Sequence, residues 1–576
     1  MNKRKYKNRL YEPRQVSDLK ELINSSASLF SEKTAFFVKD APGGDYRPVT
    51  FKKLKDDIDS LGTALIAMGL KGKKIALIGE NSYEWVVTYC AVTNGTGVIV
   101  PLDRELPPSE INHLLIRSDA SAVIYSNKVE DVIKKAVGGV VSLERIINMT
   151  ELSGLIEKGG NLITEGDLRF TGAEIDREAL CSLLFTSGTM GLAKGVMLSH
   201  RNIALNVYNI SKYVKISENG IGLSVLPMHH TYEMTCHIFT GLYQGVGIAI
   251  CEGLKYITKN MAEIRVTVML GVPLLFESMH KKIWRQAESS GNLEKLRKAV
   301  AISKKHKLYN HPWLVKKMFK SIHDATGGCI DLFIAGGAAI DPRVIEDFEA
   351  MGLHMMQGYG MTENSPLIAV NRDMFSKAAS VGFPIPGTDV KIVDPDETGM
   401  GEIVCRGSSV MIGYYRNEEE TAKALADGWL NTGDYGYFDK DGMLYVSGRK
   451  KNVIVTKNGK NIFPEEVEFY LTKSPYILEA LVHGIMDDRS GDILVKAEIF
   501  PDYEIIAVEK GGLDGQALSS LIKEEIDKAN EYMPLYKRVR RFDVRKTEFD
   551  KTTTRKIKRH TAENYNESIV GEGKEC

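Results

Sequence analysis

Between residues 51 and 271, short apolar runs alternate with stretches whose apolar positions recur every three to four residues. KKIALIG (73–79) reads as a buried strand, SYEWVVTYCAVTNG (82–95) as a helix ending at Gly95, and TGVIVPL (96–102) as the next strand. ASAVIYS (120–126) repeats the theme. This alternation predicts parallel sheets covered by helices. Further on, GCIDLFIAGG (328–337) reads as a strand running into a glycine turn, and RVIEDFEAMG (343–352) as a helix closed by Gly352. From about residue 385 short strands and turns take over, and TDVKIVDPDETGMGEIVCRG (388–407) predicts a small antiparallel β unit. Strand and helix alternate again from about 449, as in a separate compact α+β domain of roughly 125 residues. The expected class is α/β: a large N-terminal domain of helix-covered parallel sheets plus a small β unit, then a small C-terminal domain.

Composition narrows the function classes. The chain has 576 residues, 43% hydrophobic and 26% charged, which excludes collagen, a disordered tail and a disulfide miniprotein. Lys and Arg total 75, as do Asp and Glu, so no global charge points to nucleic acid, and any phosphate affinity must be local. Seven scattered cysteines without a CxxC argue for a reducing compartment and against a zinc or iron–sulfur site. The basic N-terminus lacks the apolar core of a signal peptide, and no window holds 18 uninterrupted apolar residues. The expected location is cytoplasmic, with peripheral contact at the inner face of a membrane as an extension. That extension rests on residues 281–320, where 12 Lys or Arg face only Glu288 and Glu294. Interleaved Trp284, Leu293, Leu296, Val300, Ile302, Leu308, Trp313, Leu314, Val315 and Phe319 predict amphipathic helices. These make either a surface drawn to anionic lipid or a solvated helical hairpin whose apolar side is core.

The segment richest in candidate chemistry is LLFTSGTMGLAKGVMLSHRN (183–202). An apolar strand runs into Thr186, Ser187, Gly188, Thr189, Met190, Gly191, Leu192, Ala193, Lys194 and Gly195. Glycines let backbone N–H groups turn toward an anion, hydroxyls add donors, and Lys194 adds positive charge. The result is a cradle for a polyphosphate, or else a surface hairpin rich in turn residues. No GxxxxGK[ST] is present, nor a GxGxxG after a strand, so neither a Walker A loop nor a Rossmann dinucleotide site is supported. In full, the string resembles the phosphate loop of the adenylate-forming superfamily, which includes acyl-CoA synthetases, aryl-CoA ligases, luciferases and peptide-synthetase adenylation domains. Met190 stands where that family commonly has Thr or Ser, and Ala193 where it often has Pro.

Other segments extend the resemblance from about residue 30 to 560. LPMHHTYEM (226–234) contains a Pro-x-x-His element, with His230 at the position the family places at the mouth of the carboxylate pocket. Taken alone, the paired histidines read as packing. AGGAA (335–339) and QGYGMTENSP (357–366) each follow an apolar run. Taken alone they suit close approach of a flat ring, stacking on Tyr359 and a hard-oxygen ligand at Glu363, or simply a turn with a helix cap. The resemblance implies adenine at Gly336, Gly337, Ala338, Gly358, Tyr359 and Gly360, the α-phosphate at Thr362, and Mg²⁺ at Glu363 and Thr186. Asn364-Ser365-Pro366 resembles the fatty-acyl branch.

GWLNTGDYGYFDKDGMLYVSGRKKNVIVTKNGKNIFPEEVE (428–468) is the longest match. It implies ribose contact at Asp434, a second ribose or phosphate contact at Arg449, a hinge at Lys451, and a glycine lining the pantetheine tunnel at Gly459. Asp439-Lys440-Asp441-Gly442 is a hairpin turn, and Glu465, Glu466 and Glu468 near a helix start read as structural. FDKTTTRKIKRH (549–560) resembles the family's closing element, with Lys556 at the lysine essential for adenylation and Arg555 in place of the usual glycine.

The resemblance therefore implies a long-chain fatty acid–CoA ligase-like enzyme using ATP, Mg²⁺ and coenzyme A. Its catalytic residues would be Lys556, Glu363, Thr186 and His230. Ser187, Gly188, Thr189, Met190, Gly191 and Lys194 would hold phosphates. The expected domains are 1–447 for ATP and acyl binding, a hinge at 448–451, and 452–576 carrying the adenylation lysine. Alternatives are an acyl carrier protein as thiol acceptor, a non-catalytic acyl-nucleotide-binding protein, and, more remotely, a kinase-like phosphotransferase. The sequence leaves chain length, channel lining and oligomeric state open.

Overall fold

The structure is a computed structural model. It describes residues 10–186, 193–373, 375–456, 460–487, 493–551 and 557–559, and the backbone of 574–575. The chain divides into two compact units: 1–390 with 405–431 and 442–444, and 391–404 with 432–441 and 445–576.

The first unit holds two large sheets. One has seven strands in the order Gly413–Tyr414, Lys194–Ser199, Leu180–Thr186, Val98–Leu102, Lys74–Ile78, Ala122–Tyr125 and Arg145–Asn148. The other has nine, in the order Phe383–Pro384, Leu367–Val370, Met355–Gly360, Leu332–Ala335, Val268–Gly271, Ile221–Ser224, Gly247–Ile250, Thr34–Val38 and Arg47–Thr50. Their central strands are parallel, as the apolar runs separated by helices predict. The strand expected over 73–79 spans Lys74–Ile78 and is almost wholly buried. The helix expected over 82–95 is regular over Tyr83–Ala91, starts where the Ser82 hydroxyl accepts from Trp85 N, and relaxes into a wide turn over Val92–Thr96.

Where the chain reverses, the parallel expectation fails. Leu180–Thr186 and Lys194–Ser199 pair antiparallel, as do Met355–Gly360 and Leu367–Val370. The connections are too short for a crossover, so only a hairpin can form. Both reversals fall on segments singled out for phosphate chemistry.

Residues 281–320 belong to helices Pro273–Ser289, Leu293–His306 and Pro312–Met318. Val300, Val315 and Phe319 are core, with Trp284 and Leu296 packed against them. Ile302 and Trp313 depart from the core reading: they are 48% and 72% exposed.

The second unit has its own apolar core. Strands Ile477–Met486, Ile493–Pro501 and Val539–Val544 form a sheet whose inner face meets helices Pro464–Leu471 and Gly515–Glu531. The unit also includes the stretches 391–404 and 432–441. Among the described residues no helix is long and apolar enough to cross a membrane.

Candidate functional site

In the first unit the candidate groups are assembled around the strand Lys194–Ser199. Thr186 and Lys194 face each other in the hairpin register, and the Thr186 hydroxyl points to the Lys194 carbonyl at 3.4 Å. Arg117 donates to the Ala193 carbonyl at 2.7 Å and fixes the returning end of the loop. Ser187, Gly188, Thr189, Met190 and Gly191 lie outside the described residues.

Gly413–Tyr414 pairs with Met197 and Val196 on the other edge of the same strand. Tyr414 thereby comes between two of the predicted residues. Its ring lies under the Lys194 ammonium, 4.9 Å from the centroid, and its hydroxyl donates to Glu363 Oε1 at 2.9 Å. Glu363 is only 9% exposed, and its Oε2 meets no donor among the described residues. A buried carboxylate with one oxygen held and the other open has the donor chemistry of a hard-cation ligand. Lys194 is also ion-paired with Glu420, whose other oxygen takes Lys423 at 2.9 Å. Hydrogen bonds from Lys194 and then Lys423 hold the Glu420 carboxyl down at about 2.

Sequence reasoning missed Tyr414 and Glu420, and it also missed the two amides that support them. Asn202 and Asn206 stand one turn apart on the helix His200–Ser211. Asn202 Nδ2 donates to the Ser408 and Val410 carbonyls, both at 2.8 Å. Asn206 Nδ2 donates to the carbonyls of Asn364 at 3.2 Å and Leu367 at 3.0 Å. One helix thus positions both the Thr362–Asn364 turn and the segment leading to Tyr414. The hint in the sequence is the three asparagines of that helix, Asn202, Asn206 and Asn209, the first two of which make these contacts.

The glycine-rich segments occupy strand ends. Gly336 faces Tyr232, whose ring would stand 2.7 Å from an added Cβ and whose hydroxyl is tied to the Ile334 carbonyl at 3.0 Å. At Gly360 a Cβ would stand 2.1 Å from the Pro366 carbonyl oxygen, so only glycine fits. Gly358, Tyr359 and Gly360 run along the edge of Met355–Gly360, and Gly337 and Ala338 follow Leu332–Ala335. Thr362 opens the short turn that carries Glu363.

The rings of His229 and His230 lie 4.2 Å apart between centroids, tilted by 41°. Burial, with Arg104 adding to it, pushes His229 down to about 3, so it is neutral at pH 7. Their loop is held by Asn81, which donates to Ser224 Oγ at 3.1 Å and the Leu226 carbonyl at 2.7 Å, and accepts from Met228 N at 3.1 Å.

In the second unit Asp434 is 5% exposed. Arg449 Nε meets its Oδ1 at 2.9 Å, and Arg449 Nη1 donates to the Thr432 carbonyl at 3.1 Å. The pair is charge-assisted and leaves Asp434 anchored rather than swinging. Lys451 lies in the short 3₁₀ turn Lys450–Asn452, beside the Lys450–Glu402 ion pair at 2.5 Å. Gly459 and Lys556 lie outside the described residues. The flanks of Lys556 are described: Lys551 bridges Ile557, and Lys558 N donates to the Asp550 carbonyl at 2.8 Å. Arg559 pairs with Glu468 and donates to the Val482 carbonyl at 3.2 Å. Glu465 accepts from Asn452 at 2.6 Å and Glu466 pairs with Lys537 at 2.6 Å, so the acids of this helix start are all engaged in structural contacts.

Comparison with known proteins places these segments in context. The profile of the AMP-binding enzyme family matches residues 23–415, and that of the AMP-binding enzyme C-terminal domain matches 451–571. The chain is 27% identical over 558 residues to the peroxisomal long chain acyl-CoA synthetase 6 of Arabidopsis thaliana, covering 91% of this chain and 79% of that one. It is 27% identical over 562 residues to the chloroplastic long-chain-fatty-acid–[acyl-carrier-protein] ligase AEE15 of the same plant, covering 83% and 76%. Among solved structures, the anthranilate CoA ligase AuaEII in complex with anthranoyl-AMP superposes with a TM-score of 0.74 at 22% identity, over 94% of this chain and 96% of that one.

Proposed function

Because the chain belongs to the AMP-binding enzyme family, we propose that it activates a long-chain fatty acid with ATP, through an acyl-adenylate, and passes the acyl group to the thiol of coenzyme A. The observation that carries this reading is the convergence of Lys194, Tyr414 and Glu363 on one hairpin, in a chain whose family match spans both units.

Joining a carboxylate to the α-phosphorus of ATP brings two anions together, so the rate depends on cancelling charge as it builds. Lys194 supplies positive charge to the leaving pyrophosphate, with Ser187, Gly188, Thr189, Met190 and Gly191 as the adjoining loop. Thr362 donates to the α-phosphate. Glu363 and Thr186 would hold Mg²⁺, which when bound offsets the charge of the phosphate oxygens. Gly336, Gly337, Ala338, Gly358, Tyr359 and Gly360 take the adenine, with Tyr359 offering a ring face for stacking. Asp434, oriented by Arg449, accepts the ribose hydroxyls. His230 sits at the mouth of the acid pocket, and Lys556 neutralises the carboxylate and α-phosphate oxygens. Domain 1–447 then acts with domain 452–576 about a hinge at 448–451. Lys451 absorbs the rotation that brings Gly459 toward the incoming thiol. An acyl chain binds chiefly by burial, at about 0.8 kcal/mol per methylene.

The test is carboxylate-dependent exchange of labelled pyrophosphate into ATP across acids of two to eighteen carbons, followed by transfer to free CoA or to a holo-acyl carrier protein. Exchange that rises with chain length, and transfer to CoA, are the expected results. Exchange only with aromatic or amino acids overturns the fatty-acyl assignment. Exchange with no acid leaves a non-catalytic nucleotide-binding protein, and transfer only to the carrier moves the activity to the acyl-carrier-protein class.

The same proposal includes cytoplasmic residence with peripheral contact through 281–320. Lys281, Lys282, Lys295, Lys298, Lys305, Lys307, Lys316 and Lys317 form no ion pair among the described residues, and Trp313 stands 72% exposed among them. Co-sedimentation with phosphatidylglycerol vesicles, lost on W313A with K316E/K317E, is expected; equal sedimentation with neutral vesicles would remove this element.

A further inference from the structure

We propose that Glu420 is an internal stand-in for pyrophosphate: without nucleotide its carboxylate occupies Lys194, and an incoming polyphosphate must displace it. This inference rests on the reading of Lys194 as the pyrophosphate-holding cation.

Three observations lead to it. Lys194 emerges from a hairpin whose register is fixed, and its ammonium meets the Glu420 carboxylate and the face of the Tyr414 ring. Glu420 is brought to it from 226 residues away along the chain, by a helix that Asn417 caps at Glu420 N, 3.1 Å away. The carboxylate is shared: Oε2 goes to Lys194 and Oε1 to Lys423, which also holds Glu419 at 2.7 Å. Glu420 therefore has a second cation ready when Lys194 is taken from it. Tyr414 completes the device. Its ring keeps the ammonium beside the Glu363 turn when the ion pair opens, so the lysine is released in place.

A single weak anion offers Lys194 no more than Glu420 already does. A polyphosphate, which carries several charges, wins the exchange. Glu420 thus sets a threshold that favours di- and triphosphates over orthophosphate, and it loosens the grip on pyrophosphate after the first half-reaction.

The test uses the full chain and calorimetric binding of inorganic pyrophosphate and of ATP, without acid. E420Q is expected to bind both roughly three- to five-fold more tightly, the scale of a partly exposed ion pair. K423Q removes the alternative partner, concentrates Glu420 on Lys194, and is expected to shift affinity the other way by a similar factor. Raising ionic strength should narrow both differences. E419Q removes an equal charge that pairs with Lys423 and not with Lys194, so an effect at Glu420 clearly larger than that of E419Q separates the stand-in role from a general change in local charge. Equal or weaker pyrophosphate binding by E420Q, or shifts of one sign in both variants, overturns the proposal. If such variants still exchange pyrophosphate into ATP normally with a fatty acid, only the stand-in role falls. If neither wild type nor E420Q binds either ligand, the reading beneath it falls as well.

Discussion

Two reversals of the chain flank the lysines proposed for chemistry, Lys194 and Lys556, and their stems differ in how much of the hold is apolar burial and how much is charge. The stem that presents Lys194 is an interior pair of strands in a seven-stranded sheet, with Leu183, Val196 and Leu198 fully buried. Apolar burial and a ladder regular from Ser182 to Thr186 fix it, and charge enters only at the tip. The stem on either side of Lys556 is a single bridge, Lys551 with Ile557, and one backbone bond, Lys558 N to the Asp550 carbonyl. Ile557 packs against Leu481, Phe500 and Phe549, and the other ties are charged: Lys551 with Glu479 and Glu548, and Arg559 with Glu468. The first lysine needs a permanent place on the phosphate side. The second, in the proposed mechanism, serves one half-reaction and then leaves, and a stem tied by a few ion pairs suits a part that is carried with its own unit.

The largest test of this contrast is K556A, which should lower pyrophosphate exchange about 10²–10³-fold. Thioester formation from presynthesised acyl-adenylate should continue; loss of both halves would place Lys556 in a role like that of Lys194. R559Q should come next. It leaves the largely enclosed Glu468 without its counter-charge, and unfolding of the second unit should become easier by roughly 3 kcal/mol in a denaturant titration. An equal loss from a large-to-small change at Leu183 would be a packing effect, so only the arginine variant should respond to salt. Y414F removes the donor to Glu363 without touching the stem. The Mg²⁺ concentration giving half-maximal exchange should rise about ten-fold, with Tm unchanged.

The smallest effect is the pH dependence of the Lys551 ties. Burial lowers the Lys551 pKa, but hydrogen bonds to Glu479 and Glu548 outweigh it, and the folded value lies above the ordinary 10.5. A raised lysine contributes stability that is fully present below 10.5 and is lost as pH rises through the folded value. The Tm difference between wild type and K551Q should be flat from pH 7 to 9 and should vanish in strong alkali. A difference that persists there would mean that packing, not charge, holds this stem too.

Much of this layout is legible along the chain. The strands at 74–78, 98–102 and 122–125 and the helix at 342–350 follow from local periodicity, and local periodicity is what a sequence displays. Lys194 and Glu363 are legible because each lies in a short run of unusual composition. Tyr414 and Glu420 are not. Their significance lies in partners 51 and 226 residues away, and nothing at Gly413-Tyr414 or Glu418–Glu420 sets those residues apart from an ordinary strand end and an acidic first turn. The antiparallel hairpin at 180–199 is half legible: the turn-rich loop allows a hairpin, but an apolar strand looks alike whichever way its neighbour runs. At 281–320 the apolar spacing locates the core correctly at Val300, Val315 and Phe319. It gives no warning of Trp313, because periodicity names a face and not what covers it.

Asn81 has a practical consequence for redesign. It is rooted at the end of a strand in one sheet, and its single carboxamide makes three hydrogen bonds to the histidine-bearing crossing that leaves the other. Transplanting residues 227–231 from a relative to alter acid preference would import a buckle without its clasp. Grafts at this seam have to move in pairs, with residue 81 travelling alongside the loop.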